Sequence, residues 1–171
     1  MRARIEAYLE RLYGFAYALT QDPDAARDLV QECAVRALDA GRVPYDEPAY
    51  RAWLFRILRN AFIDRNRRSG KETGLEPDID EPDDRDAGWC GDSRIIDVLT
   101  VRFAVARLPS AHREIIALVD FVGLSYQEAS EVLGVAQGTV MSRVSRARKA
   151  LLAEMEAGNV TPISRARSRM R

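Results

Sequence analysis

The chain has 171 residues, 47% of them hydrophobic and 30% charged, and its formal net charge is zero. That is enough apolar side chain to bury a core in one compact domain or two small ones, which excludes global disorder. The balanced charge also argues against a protein that coats nucleic acid indiscriminately.

No apolar run approaches the roughly 18 residues of a membrane-spanning helix, and the N-terminus MRARIEAYLERLYG has no signal-peptide core, so the expected location is cytoplasmic. Cys33 and Cys90 lack metal-ligand spacing and His112 is the only histidine, leaving little material for a zinc site or a histidine-based dyad. Both thiols are expected to be free and His112 to be an ordinary surface helix residue. No cofactor and no enzymatic activity are expected.

In chain order, Ile5, Leu9, Leu12, Ala16 and Leu19 recur at helical steps and predict a first helix that stops near Thr20. Asp22 then offers an N-cap and Pro23 a first-turn residue for a second helix, striped by Leu29, Val30, Cys33 and Ala37 and ending before Gly41. Pro48 opens a third, where Trp53, Leu54, Ile57, Leu58, Ala61 and Phe62 form an apolar stripe and arginines fill the remainder. Trp53 reads as core rather than as a stacking platform.

Charge is segregated along the chain. From Arg51 to Lys71 there are seven bases against one acid, from Glu72 to Asp97 ten acids against two bases, and from Arg143 to Arg171 eight bases against two acids. Two basic blocks flanking an acidic one suit a protein that meets a polyanion at two places.

Residues 69–93 (SGKETGLEPDIDEPDDRDAGWCGDS) carry little apolar material besides Trp89 and read as a flexible acidic linker. The two flanking halves are therefore expected to fold separately. Beyond the linker, Ile95 to Leu108 and Ser110 to Phe121 predict two helices divided by Pro109.

The next stretch is LSYQEASEVLGVAQGTVMSRVSRAR, from Leu124 to Arg148. Ser125 and Glu128 have capping-box spacing, Gly134 supplies a helix stop, and a second helix resumes after Ala136. Leu133, Val135, Val140 and Val144 make an apolar seam, and Ser130 permits close approach. Val140, Val144, Ala147 and Leu151 point inward, leaving Gly138, Met141, Ser142, Ser145, Arg146 and Lys149 outward. An ordinary helical hairpin would need only the seam. The capping box, the placed glycine and the basic outer face together predict a helix-turn-helix whose second helix fits a major groove.

With those motifs in view, the chain resembles a sigma factor of the extracytoplasmic-function (ECF) group. LYGFAYALTQDPDAARDLVQECAVRAL followed by YRAWLFRILRNAFIDRNRR resembles sigma region 2. RLPSAHREIIALVDFVGLSYQEASEVLGVAQGTVMSRVSRARKAL resembles region 4. The resemblance implies an all-α fold of two small helical domains: region 2 over 1–68, the linker over 69–93, region 4 over 94–155 and a basic tail over 156–171.

It also implies a promoter-directing partner of core RNA polymerase, touching the β′ clamp coiled coil and the β subunit, with promoter DNA and an anti-sigma factor as further partners. Asp28, Gln31 and Glu32 correspond to the β′ contact. Asn60 corresponds to the residue that captures an unstacked −10 base, with Arg56, Arg59, Arg65 and Arg67 beside the strand backbone. Met141, Ser142, Ser145 and Arg146 would read the −35 element, with Arg143, Arg148 and Lys149 on phosphates.

Met141 stands where relatives often carry a cation, Ala136 where a capping serine is common, and Ala129 and Ser130 where Ile and Ala are usual. Promoter preference therefore does not transfer from relatives. The alternatives are a sigma mimic that sequesters an anti-sigma factor without binding DNA, and a dimeric helix-turn-helix regulator. The mimic has no use for Asn60, Arg146 and Lys149, and the regulator leaves Asp28 to Arg68 without a task.

Overall fold

The computed structural model describes residues 2–70, 101 and 103–159. Trp89, Cys90, nearly all of the acidic linker and the last part of the basic tail lie outside the described residues. All regular elements described are helical: α1 (Arg2–Glu6), α2 (Leu9–Thr20), α3 (Pro23–Leu38), α4 (Glu47–Arg68), α5 (103–107), α6 (Ser110–Ile116), α7 (Tyr126–Leu133) and α8 (Gln137–Asn159). The all-α expectation is met.

The expected first helix is two pieces, because the chain turns at Tyr8 between α1 and α2. Tyr8 is buried and its hydroxyl donates to Glu47 at the start of α4. Arg4 completes this clasp: its guanidinium sits 3.8 Å from the centre of the Tyr50 ring and donates to Glu47 and to the carbonyls of Pro44 and Tyr45. A polar anchor thus breaks an otherwise continuous apolar stripe.

α3 begins as its sequence demands, with the Asp22 carboxylate accepting the Ala25 amide at 2.7 Å and Pro23 in the first turn. α4 is capped by Asp46, which accepts from the Ala49 amide, and Pro48 falls inside the first turn. Leu54, Leu58, Ala61 and Phe62 are buried as expected, whereas Trp53 and Ile57 are half-buried. Tyr50 and Phe55, absent from the expected stripe, are wholly buried.

Tyr50 meets Tyr8 and the Arg4 guanidinium, and Phe55 meets the Phe15 ring of α2, so both are covered from within the first half. α4 packs on α3 and α2 and also on α7 of the second half. Cys33 faces this core too. Burial pushes its thiol up to about 12 and its sulfur approaches the Leu54 carbonyl, so it is protonated and unreactive.

In the second half, the helix expected over Ser110–Phe121 changes character part-way, since Ala117–Phe121 forms a π-helical turn after α6. It closes with the Val122 amide donating to the Ala117 carbonyl at 2.9 Å. α8 continues to Asn159, beyond the boundary expected at 155.

The halves are not separate in this structure. One apolar cluster contains Leu12, Phe15, Leu54 and Leu58 from the first half and Ile115, Leu118, Ala129 and Val132 from the second. α2 packs against α6 and the π-helical turn, and α4 against α7. Arg113 of α6 also reaches across, donating to the Ala18 carbonyl at 2.6 Å and to the Leu108 carbonyl at 2.8 Å.

Candidate nucleic-acid interface

The helix-turn-helix is built from local chemistry. Ser125 Oγ accepts the Glu128 amide at 3.2 Å, and the Glu128 carboxylate accepts the Ser125 amide at 2.8 Å, so both halves of the capping box are formed. α7 stops at Gly134, whose φ of 70° is in the left-handed region, and its amide donates back to the Ser130 carbonyl.

α8 then starts at Gln137, which makes Ala136 its N-cap, with the Ala136 carbonyl accepting the Val140 amide. Ala136→Ser should raise the stability of this half by about 1 kcal/mol, because a hydroxyl there can accept an amide of the first turn. Thermal unfolding of the two proteins checks this, and a lower midpoint for the serine variant would mean that the helix start is misplaced.

Val140, Val144 and Ala147 of α8 are buried, and Leu151 packs against the same cluster. Met141, Ser142, Ser145, Arg146 and Lys149 are exposed together on the opposite face. The Ser142 hydroxyl donates to the Thr139 carbonyl, which leaves its lone pairs as the outward group, and among the described residues Arg146 makes only a long 3.5 Å contact with the Ser142 carbonyl.

Two expected phosphate ligands are placed differently. Arg148 is clamped by Asp120 of the π-helical turn at 3.2 and 2.5 Å. Arg143 is half-buried, close enough for its charge to act on Glu114.

On α4, Arg56, Asn60 and Arg67 are exposed at steps of four and seven, one face of the helix. Asn60 lies in mid-helix, so it does not cap. Arg65 is exposed and approaches Asp28 at 3.5 Å. Arg59 is different: its Nε donates to Glu114 Oε1 at 2.8 Å, and it points into the junction with the second half.

Asp28, Gln31 and Glu32 share the outer face of α3, with Asp28 and Gln31 exposed and Glu32 half-exposed in a 2.6 Å pair with Arg36. Arg36 also holds Asp64 of α4 at 3.0 Å.

The charged groups of the junction are not among the site residues expected from the sequence. Arg51 donates to both oxygens of Glu128 at 2.8 and 2.7 Å, so the capping glutamate of α7 also binds α4. Desolvation pushes the Glu128 carboxyl up, but the Ser125 amide and the Arg51 guanidinium outweigh it and hold the group below the usual carboxylate range. For Glu114 burial wins over Arg59, and its carboxyl is raised. A signal was available for Glu114, an acid four residues before Leu118 on an apolar helix face, where a buried charge requires a partner.

Comparison with known proteins matches residues 4–72 to Sigma-70 region 2 and residues 99–151 to Sigma-70, region 4. The chain is 35% identical over 162 residues to the ECF RNA polymerase sigma factor EcfG of Rhodopseudomonas palustris, covering 90% of this chain and 83% of that one. The chain belongs to the ECF sigma factors of the sigma-70 family.

A further relative, the ECF RNA polymerase sigma factor SigL of Mycobacterium tuberculosis, is 34% identical over 171 residues, covering 94% of this chain and 92% of that one. Among solved structures, the sigma factor RpoE in complex with the anti-sigma factor NepR from Bartonella quintana superposes with a TM-score of 0.66 at 32% identity, covering 90% and 95% of the two chains. As an ECF sigma factor the protein binds RNA polymerase and directs transcription from promoters. α1–α4 are its region 2, and the helix-turn-helix of α7 and α8 belongs to region 4. Among the described residues no helix is long and apolar enough to cross a membrane.

Proposed function

We propose that this sigma factor divides its labour by helix. Asp28, Gln31 and Glu32 on α3 bind the β′ clamp coiled coil of core polymerase, with the β subunit completing the contact. Asn60 on α4 captures an unstacked base of the −10 element, flanked by Arg56 and Arg67 for the strand backbone, with Arg65 joining from the side that faces Asp28 and Arg59 once its pair with Glu114 opens. Met141, Ser142, Ser145 and Arg146 on α8 read the −35 duplex, with Lys149, Arg143 and Arg148 on phosphates. Met141 offers an apolar contact to a thymine methyl.

The observation that carries this division is that Asp28 and Gln31, then Arg56, Asn60 and Arg67, then Met141, Ser142, Ser145, Arg146 and Lys149 occupy exposed faces of three different helices, so one surface can be changed without unfolding the others. Capture of a flipped base needs an amide free to meet its edge, and Asn60 is exposed in mid-helix. The proposed domain division follows the same lines, with core binding and melting in residues 1–68 and −35 recognition in 94–155.

An anti-sigma factor is a proposed partner, supported by the solved RpoE–NepR complex. The proposed location is the cytoplasm, where polymerase and promoters are, and the proposed role is regulatory rather than enzymatic. A core-polymerase pull-down paired with a permanganate footprint of promoter melting tests the division, since charge reversal on α3 should fail in both assays and loss of the Asn60 amide in the footprint alone.

A further inference from the structure

A cavity of about 490 Å³ lies between the last turn of α4 and the start of α6, bordered by the end of α2 and the start of α3. None of the residues proposed for core binding or for the −35 element lines it, and of the −10 set only Arg65 does. Its volume is within the range of small-molecule sites.

The charge around this cavity is unbalanced. Arg65 and Arg113 line it from two different helices, and Asp22 is the one acid among its lining residues. The Asp22 carboxylate is engaged in capping α3, where it accepts the Ala25 amide at 2.7 Å. Arg65 has, among the described residues, only the 3.5 Å approach to Asp28.

Arg113 is half-buried, and its hydrogen bonds run to main-chain carbonyls: Nε donates to Ala18, and Nη1 to Leu108 and Ala106. Among the described residues no carboxylate pairs with it, and burial lowers its pKa with no acid opposing the shift. A cation withdrawn from water in this way is costly until an anion joins it.

The remaining polar lining suits an oxyanion. Asn66, Ser69 and Ser110 add an amide and two hydroxyls to the two guanidiniums. A phosphate has oxygens enough to accept from several such donors at once, and guanidinium matches its geometry. Leu19 and Phe62 give the cavity an apolar wall for the rest of a small organic molecule.

We propose that this cavity binds a small phosphate ester, with Arg65 and Arg113 holding the phosphate. Such a ligand touches both region 2 and region 4, and it occupies an arginine proposed for the −10 strand. The site does not depend on how either promoter element is read.

The test uses the full chain, with adenosine monophosphate and inorganic phosphate as probes and adenosine as the uncharged control, all at one ionic strength. Calorimetric titration should show saturable binding of both anions and none of adenosine. Amide shifts in NMR spectra should be largest at Ser69, Ser110 and Arg113. Arg113→Gln should weaken binding about ten-fold or more, as expected for loss of a charge-assisted hydrogen bond. Arg65→Gln should weaken it in the same direction.

Circular dichroism monitors folding. Arg113 also holds three carbonyls, so if Arg113→Gln loses helicity, Arg65→Gln decides, since the structural contact it gives up is the long one to Asp28. Undiminished binding in Arg65→Gln would overturn the site, as would adenosine binding as tightly as its monophosphate. Shifts confined to the basic face of α8, or no saturable binding of either anion at millimolar concentration, would overturn it equally.

Discussion

Replacing Asp28 and Glu32 together with lysine is expected to abolish binding to core polymerase, and with it all promoter-directed transcription. Two acids become two bases on a surface proposed to meet a complementary patch, and like-charge juxtaposition at such a contact costs several kcal/mol. The fold should survive, because the structural partners lost are modest. Among the described residues Asp28 has only a 3.5 Å approach from Arg65 across an exposed surface, and Glu32 has a half-exposed pair with Arg36. Pairs of this kind contribute at most about 1 kcal/mol.

Asn60→Ala should behave in the opposite way, retaining core binding while permanganate reactivity at the −10 element falls. The two phenotypes can separate because α3 and α4 present these residues on different faces. Wild-type levels of melting by Asn60→Ala would withdraw the base-capture role, and undiminished core binding by the double lysine variant would withdraw the α3 contact.

Arg146→Ala should weaken binding to duplex −35 DNA by about 1–3 kcal/mol and relax preference at one base position, because a guanidinium reading a base edge carries both affinity and discrimination. Lys149→Ala should lower affinity evenly across sequences. Arg148→Ala should cost less than either, since Asp120 must first release that guanidinium. Titration of the full chain against a set of single-base −35 variants measures all three, and binding should weaken with added salt as phosphate contacts release counterions. An Arg146→Ala protein with unchanged affinity and unchanged preference would move the reading face elsewhere on α8.

The parts of this fold that were legible in the sequence are those set by neighbours in the chain. The Asp22 cap, the Ser125–Glu128 box, the Gly134 stop and the inward register of Val140, Val144 and Ala147 each depend on residues within a few positions. What escaped was long-range. Arg51 finds Glu128 across 77 residues and Arg59 finds Glu114 across 55, and no local pattern encodes such partners.

That is why Arg59 read as a DNA-facing arginine like Arg56, although the structure turns it into the junction. It is also why α4 was read with one buried stripe. Tyr50 is covered by Tyr8 and Arg4 and Phe55 by Phe15, partners far earlier in the chain. The break at Tyr8 was hidden for the same reason, since the Glu47 that binds its hydroxyl is 39 residues away.

As an ECF sigma factor, this chain is expected to turn core RNA polymerase into a promoter-specific enzyme by using region 2 and region 4 together. Run-off transcription with purified core polymerase on a library of candidate promoters tests it most directly. The expected result is a discrete set of transcripts that require the added protein, start at fixed positions, and disappear when either the −10 or the −35 sequence of a template is scrambled. Binding to core polymerase without any promoter-specific transcript from the library would contradict it, and would leave a protein that occupies sigma's partners without doing sigma's work.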